Sequence, residues 1–182
     1  MSLPNLISCA RICFIFPFVI CLMQVQHKDH YRYVALGMLL AIGLSDVLDG
    51  YLARKRGEIT KFGKFLDPIA DKLTLVIACV LLSSDKFWPE PRFPNWIPAI
   101  IISRELFFTL GIVAAFIIPK RKIVWSPDKL GRLTTFLQIT AVIAVLLGNH
   151  LSLTILLILW WLVVVATFAS TVNYTYRGVK QL

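Results

Sequence analysis

Two acidic runs decide the fold, SDVLDGYLAR at residues 45–54 and GKFLDPIAD at residues 63–71. They place four aspartates in apolar sequence, within a chain of 182 residues that is 58% hydrophobic. A charged side chain near the bilayer centre costs roughly 2.5–3.5 kcal/mol on insertion scales. The carboxylates therefore need cations, and the runs predict a metal site inside a membrane protein, formed by Asp46, Asp49, Asp67 and Asp71.

Six apolar segments approach the roughly 20 residues that a membrane-spanning helix needs. Because the connections between them are short, no separate soluble domain is expected. We predict an all-α integral membrane protein with six transmembrane helices, which form a single domain over residues 1–182. Gly37 and Gly43 are expected to offer smooth surfaces that another helix can approach. The predicted spans cover approximately residues 5–24, 33–53, 66–83, 96–118, 133–148 and 151–173.

The basic residues are distributed unevenly between the predicted loops. Twelve of the 19 lie between spans two and three, between spans four and five, or after span six. Basic residues are retained on the cytoplasmic side of a membrane, so both termini and both basic loops are predicted to be cytoplasmic. The net charge of +9 then reflects topology and contact with anionic membrane lipids, and no nucleic-acid partner is expected.

Helical spacing groups the four carboxylates into pairs. Asp46 and Asp49 are three residues apart, and Asp67 and Asp71 are four apart, so each pair shares one face of its helix. One short loop joins the two helices, which makes them antiparallel neighbours and places the pairs at a similar depth near the cytoplasmic interface. The charge of four carboxylates matches two divalent cations, and oxygen ligands suit Mg²⁺, Ca²⁺ or Mn²⁺.

Small residues beside these carboxylates leave room for a phosphorylated ligand. Gly50 and Ala53 follow on the helix of Asp46 and Asp49, and Gly63 precedes the second pair. Paired metal ions can hold a phosphoryl group and stabilise the entering and leaving oxygens during its transfer. The residues thus favour a site for a diphosphate.

The spacing D-x2-D-G-x2-A-R-x8-G-x3-D-x3-D fixes eight positions across the 26 residues from Asp46 to Asp71. It matches without a gap the signature of the CDP-alcohol phosphotransferase family, which the chain also resembles in length and in its six segments. Residues 62–72, 103–105 and 129–138 resemble most the bacterial members that use sn-glycerol 3-phosphate. The resemblance implies transfer of the phosphatidyl group from CDP-diacylglycerol to sn-glycerol 3-phosphate, with release of CMP. It also implies a homodimer in the bacterial inner membrane, with the active site facing the cytoplasm.

The resemblance assigns roles to the residues of the signature. Asp46, Asp49 and Asp67 would hold metal and nucleotide, and Asp71 would bind metal and act as the general base. The cofactor would be two divalent cations, Mg²⁺ or else Mn²⁺. The site for CDP-diacylglycerol would be completed by Gly50, Ala53, Arg54 and Gly63, with the arginine near the phosphates.

An acceptor that carries a phosphate needs a cation of its own. Arg104 lies within the fourth span beside Glu105, and Lys129 and Arg132 precede the fifth. We predict that Arg104 and Arg132 hold the acceptor phosphate, with Lys129 and Lys61 as further candidates. Two simpler interpretations stay open. Arg104 and Glu105 could be an ion pair that ties helices together, and Lys129 and Arg132 could only mark the cytoplasmic side.

Three other functions compete with this interpretation. A cardiolipin synthase dependent on CDP-diacylglycerol would share the signature but use phosphatidylglycerol as its acceptor. A divalent-cation transporter would need carboxylates that can be reached from both membrane faces, whereas spans one, five and six contain no acidic residue. A structural scaffold would have no use for four uncompensated acids.

Overall fold

The computed structural model describes the backbone of residues 3–56, 72–117 and 129–180. Within these ranges the regular secondary structure is entirely helical, which confirms the predicted all-α class. The six α-helices of the described residues, and a 3₁₀ turn at Gly148–His150, correspond to the six predicted segments. The helices are α1 Leu3–Gln24, α2 His30–Arg56, α3 Lys72–Leu81, α4 Trp96–Ile117, α5 Lys129–Leu147 and α6 Leu153–Lys180.

The helices extend beyond the apolar segments that predicted them. α2 continues to Arg56 and α6 to Lys180, whereas hydropathy placed their ends near residues 53 and 173. Hydropathy marks where apolar sequence stops, but a helix continues through polar residues that still form its backbone hydrogen bonds. Two described stretches, Leu130–Leu147 and Leu153–Tyr176, are long and apolar enough to cross a membrane by length and composition. The part of the third predicted span before Lys72 lies outside the described residues.

The helices pack around one apolar core. α1 packs against α2, α5 against α6, and α2 and α4 each contact one member of the α5–α6 pair. Alanines such as Ala35, Ala78 and Ala141 are fully buried at these contacts, where small side chains let helices approach closely. The larger buried side chains that fill the core include Phe18, Leu22, Leu82, Ile97, Val142 and Leu156.

Gly37 and Gly43 are exposed on α2. A Cβ atom added at either position would meet nothing within 4 Å. Within the described part of the chain no helix packs against them. Their expected role as surfaces that another helix can approach stays a prediction.

Arg32 lies at the end of the bundle opposite the acidic part of α2, where it contacts the loops. Its buried guanidinium lies 5.0 Å from the centre of the Trp88 ring, and its Nε lies 3.1 Å from Asp29 Oδ1. Gly148 packs directly against this guanidinium and has a φ of +54°, in the left-handed region that favours glycine. Tyr33 Oη and His150 Nε2 are 2.9 Å apart beside it. One arginine thus joins three loops.

Replacing Gly148 with alanine is expected to destabilise the protein strongly. The new Cβ would lie 1.4 Å from Arg32 Nη1 and 2.7 Å from its Cζ, so the arginine would have to leave Trp88. The left-handed backbone adds roughly 1–2 kcal/mol for a residue with a side chain. Thermal unfolding in detergent should show a lower Tm for Gly148→Ala. Gly37→Ala is the control and should keep the Tm, because its Cβ meets open space; equal Tm values for both variants would contradict the prediction.

Candidate active site and lipid-facing cleft

The first half of the acidic signature lies on one unbroken helix. α2 runs through positions 46, 49, 50 and 53 to its end at Arg56. A repeat of 3.6 residues places these four positions within one side of the helix, as the spacing predicted. The structure describes only the backbone here, so the roles of Asp46, Asp49, Gly50, Ala53 and Arg54 stay predictions. Gly63, Asp67, Asp71 and Lys61 lie outside the described residues, as does the meeting of the two carboxylate pairs.

Lys72 follows the last signature position and begins the described part of α3. Its Nζ lies 3.2 Å from Glu105 Oε2 and 5.1 Å from the centre of the Phe108 ring. Glu105 and Phe108 are three residues apart on α4, so both present the same face to the lysine. The start of α3 is therefore held against α4 by an ion pair and a cation–π contact.

Arg104 lies on α4 next to this ion pair and is only 6% exposed. Its Nη1 donates to Glu105 Oε1, and its Nη2 donates to Ser170 Oγ on α6 at 3.4 Å. The centre of the Phe108 ring is 4.8 Å from the guanidinium carbon. The Nε of Arg104 has no hydrogen-bond partner among the described residues. Arg104 thus links α4 to α6 and is held from several sides.

Gly131 brings the start of α5 against the same guanidinium. A Cβ atom at this position would lie 3.6 Å from Arg104 Nη2 and 3.5 Å from Tyr174 Cε2. Arg132 follows directly and is exposed, and α5 begins at Lys129, whose side chain is not described. The structure therefore brings the buried Arg104 and the first turn of α5 together, as the predicted acceptor site requires.

The structure also bears on the simpler interpretation of Arg104 and Glu105. The two residues contact each other, and each also contacts another helix, through Ser170 and Lys72. An ion pair that ties helices together is therefore present. Sequence reasoning gave Lys72 and Ser170 no role in the site. A lysine inside an apolar segment, directly after the last aspartate of the signature, was the available signal for the first; nothing singled out the serine.

A cleft of about 590 Å³ opens beside this cluster, between α2, α3, α4 and α5. Its polar lining includes Lys72, Glu105 and Thr135. Leu40 and Leu44 on α2 line the cleft and are exposed, so the α2 wall of the cleft is apolar where it meets the surface of the protein. The wall formed by α2 ends two residues before Asp46. The remaining lining is mostly apolar and comprises Leu39, Gly43, Thr74, Leu75, Ala78, Ile139, Val142 and Ile143.

Comparisons with known proteins match this chain over most of its length. The family model described as CDP-alcohol phosphatidyltransferase matches residues 1–172. Three similar proteins are each named CDP-diacylglycerol–glycerol-3-phosphate 3-phosphatidyltransferase. The one from Bacillus subtilis is 37% identical over 81% of this chain and 78% of its own length. The one from Rickettsia typhi is 33% identical over 96% and 94%, and the one from Aquifex aeolicus 32% identical over 100% and 98%.

Proposed function

Since this chain belongs to the CDP-alcohol phosphatidyltransferase family, we propose that it transfers the phosphatidyl group of CDP-diacylglycerol to sn-glycerol 3-phosphate. The products are phosphatidylglycerophosphate and CMP. One observation carries the proposal: relatives that are 33% and 32% identical over 96% and 100% of the chain are both named for this activity. The enzyme would serve phospholipid synthesis.

The chemistry exchanges one phosphorus–oxygen bond for another. The acceptor hydroxyl oxygen bonds to the phosphorus of the phosphatidyl group, the bond from that phosphorus to the oxygen of CMP breaks, and CMP leaves. Asp71 is the proposed base that takes the hydroxyl proton. Two divalent cations held by Asp46, Asp49, Asp67 and Asp71 would supply electrostatic stabilisation of the diphosphate. The unbroken helix through positions 46 and 49 supports this ligand set, because it keeps two hard oxygen donors one turn apart.

The cleft supports a lipid substrate rather than a soluble one. Its volume, apolar lining and few polar groups are typical of a small-molecule site. Its α2 wall, apolar at the protein surface, would admit an acyl chain from the membrane and ends close to the acidic signature. CDP-diacylglycerol would therefore lie with an acyl chain in the cleft and its diphosphate at the signature.

Replacing Gly43 with leucine tests this placement. The new side chain would occupy space beside the cleft that Gly43 lines, and nothing lies within 4 Å of its Cβ. Displacing about two methylene groups of an acyl chain, at about 0.8 kcal/mol each, predicts a KM for long-chain CDP-diacylglycerol raised about tenfold. A short-chain analogue should be affected much less. Gly37→Leu is the matched control, because Gly37 has the same open surroundings but does not line the cleft. Equal KM values for both variants would refute the placement.

The acceptor site is proposed to lie between α4 and the first turn of α5. The buried cation of this cluster, Arg104, lies against α5 and favours binding of an anion there, whereas Lys72 lines the cleft. Gly131 brings the exposed Arg132 near this cluster. Lys129 and Lys61 complete the proposed set that would hold the phosphate of sn-glycerol 3-phosphate.

A panel of acceptors tests the proposed function. The purified protein in detergent, supplied with CDP-diacylglycerol and Mg²⁺, should release CMP when sn-glycerol 3-phosphate is added. Phosphatidylglycerol should not substitute for it. Release of CMP with phosphatidylglycerol alone would instead assign the chain to cardiolipin synthesis, and release with neither would refute both.

The membrane arrangement is also part of the proposal. Six transmembrane helices follow from the six apolar segments, and cytoplasmic termini and an active site facing the cytoplasm follow from the distribution of basic residues. Large apolar side chains on the outside of the bundle support contact with lipid, among them Phe14, Phe16, Leu110, Phe136, Trp161 and Phe168. A bacterial inner membrane and a homodimer remain the expectations drawn from the family.

A further inference from the structure

Glu105 lies between two cations that belong to different sides of the site. Its Oε1 accepts from Arg104, and its Oε2 lies 3.2 Å from Lys72 Nζ. Lys72 is 29% exposed and lines the lipid-facing cleft, whereas Arg104 is buried against α5 and α6. One carboxylate therefore contacts a cation at the proposed lipid site and a cation at the proposed acceptor site.

The shared carboxylate offsets the repulsion between the positive charges of Lys72 and Arg104. Both contact the same carboxylate and lie near the Phe108 ring, at 4.8 Å and 5.1 Å from its centre, so they are close to each other. Like charges repel more strongly at low dielectric than in water. Among the side chains that the structure describes, Glu105 is the carboxylate that contacts either of them. If the charge of Glu105 were removed, no shared carboxylate would fix the positions of Lys72 and Arg104 relative to each other.

We propose that Glu105 is a positioning residue that aligns the two substrates through Lys72 and Arg104. The inference rests on the proposed function, in which an acceptor oxygen must come within about 3–3.5 Å of the phosphorus. Glu105 need not touch either substrate. It fixes the separation of the two cations, and thereby the separation of the groups that those cations hold.

The proposal predicts a separation between effects on kcat and on KM. Glu105→Gln keeps the shape but removes the charge, and should lower kcat about 50-fold, because a displacement of about 1 Å can cost about 10²-fold. Both KM values should stay within about threefold, since Lys72 and Arg104 keep their charges. Variants that affect the site of one substrate should instead change a KM. Lys72→Met should raise mainly the KM for CDP-diacylglycerol, and Ser170→Ala should raise mainly the KM for sn-glycerol 3-phosphate.

The test measures initial rates of CMP release by the purified full-length protein over both substrate concentrations. The set comprises wild type, Glu105→Gln, Glu105→Asp, Lys72→Met, Ser170→Ala and the double variant Lys72→Met/Glu105→Gln. In the Lys72→Met background, Glu105→Gln should lower kcat far less than about 50-fold, because one of the two cations it aligns is gone. Glu105→Asp restores the charge and should recover kcat to within about tenfold of wild type. The matched control is Glu90→Gln, which breaks the ion pair with Arg92 at a side chain 72% exposed in a distant loop and should leave both constants unchanged.

Several results would overturn the proposal. These are a kcat for Glu105→Gln within threefold of wild type, an equal loss in the Lys72→Met background, and a Glu105→Asp variant as slow as Glu105→Gln. If Glu105→Gln lost activity by unfolding, the fraction of active protein and the Tm would both fall. The kcat of Glu105→Asp, which keeps the charge, would then decide whether Glu105 is a positioning residue. Failure of the proposed function is distinct, because wild type would not release CMP with sn-glycerol 3-phosphate. The kinetic comparison would then use whichever acceptor is active, and absence of any active acceptor would overturn both.

Discussion

Asp71→Asn is expected to lower kcat by about 10²–10⁴-fold while CDP-diacylglycerol still binds. General-base catalysis typically contributes about 10²–10⁴-fold, and an asparagine amide cannot accept the hydroxyl proton. The side chain keeps its size and one oxygen, so the shape of the site should persist. The measurements are CMP release at saturating substrates and calorimetric titration of CDP-diacylglycerol. Asp85→Asn is the matched control, because Asp85 is exposed in a turn after α3 and should leave the rate unchanged.

A comparison with Asp46→Asn separates loss of the general base from loss of a metal ligand. Asp71 is proposed to have both roles, whereas Asp46 is proposed to bind metal only. Position 46 lies on α2, and its carboxylate is proposed to bind metal without taking the proton. Asp46→Asn should therefore raise the Mg²⁺ concentration needed for half-maximal activity and weaken binding of CDP-diacylglycerol. Asp71→Asn should show its main loss at saturating Mg²⁺. If Asp71→Asn bound CDP-diacylglycerol normally and turned over at the wild-type rate, Asp71 would not be the base.

The helices could be predicted from sequence because the hydropathy of each segment indicates directly whether that segment lies in an apolar environment. α4 was expected over residues 96–118 and is found over Trp96–Ile117. The ends of α2 and α6 were missed because their last turns are polar, and hydropathy carries no information about a helix that leaves an apolar environment. The same local logic placed positions 46 and 49 on one helical face.

Contacts between helices could not be predicted in this way. A spacing of four residues shows that Arg104 and Phe108 share a face of α4, but not that Ser170, 66 residues away, contacts the arginine. Lys72 and Glu105 come together only because α3 packs against α4 at a particular rotation. Gly43 illustrates the same limit: its lack of a side chain gave no sign that the packing of four helices would make it part of a cleft.

Arg104→Ala is expected to raise the KM for sn-glycerol 3-phosphate about 100-fold. A hydrogen bond to a charged group contributes about 1.5–3 kcal/mol, and the lost bond to a phosphate lies at the upper end of that range. The KM for CDP-diacylglycerol should change much less, because Lys72 still lines the cleft. Arg92→Ala, which breaks an ion pair in the loop before α4, is the control and should leave both KM values unchanged.

The same variant decides between the two interpretations of Arg104. Its removal leaves Glu105 paired with Lys72 alone and takes a donor from Ser170, so the Tm should fall in either case. An arginine that binds the acceptor phosphate predicts a raised KM only for phosphorylated acceptors. With glycerol, an acceptor that lacks the phosphate, Arg104→Ala should then turn over as wild type does. A lower Tm with an unchanged KM for sn-glycerol 3-phosphate would remove Arg104 from the acceptor site and leave it as the tie between α4 and α6.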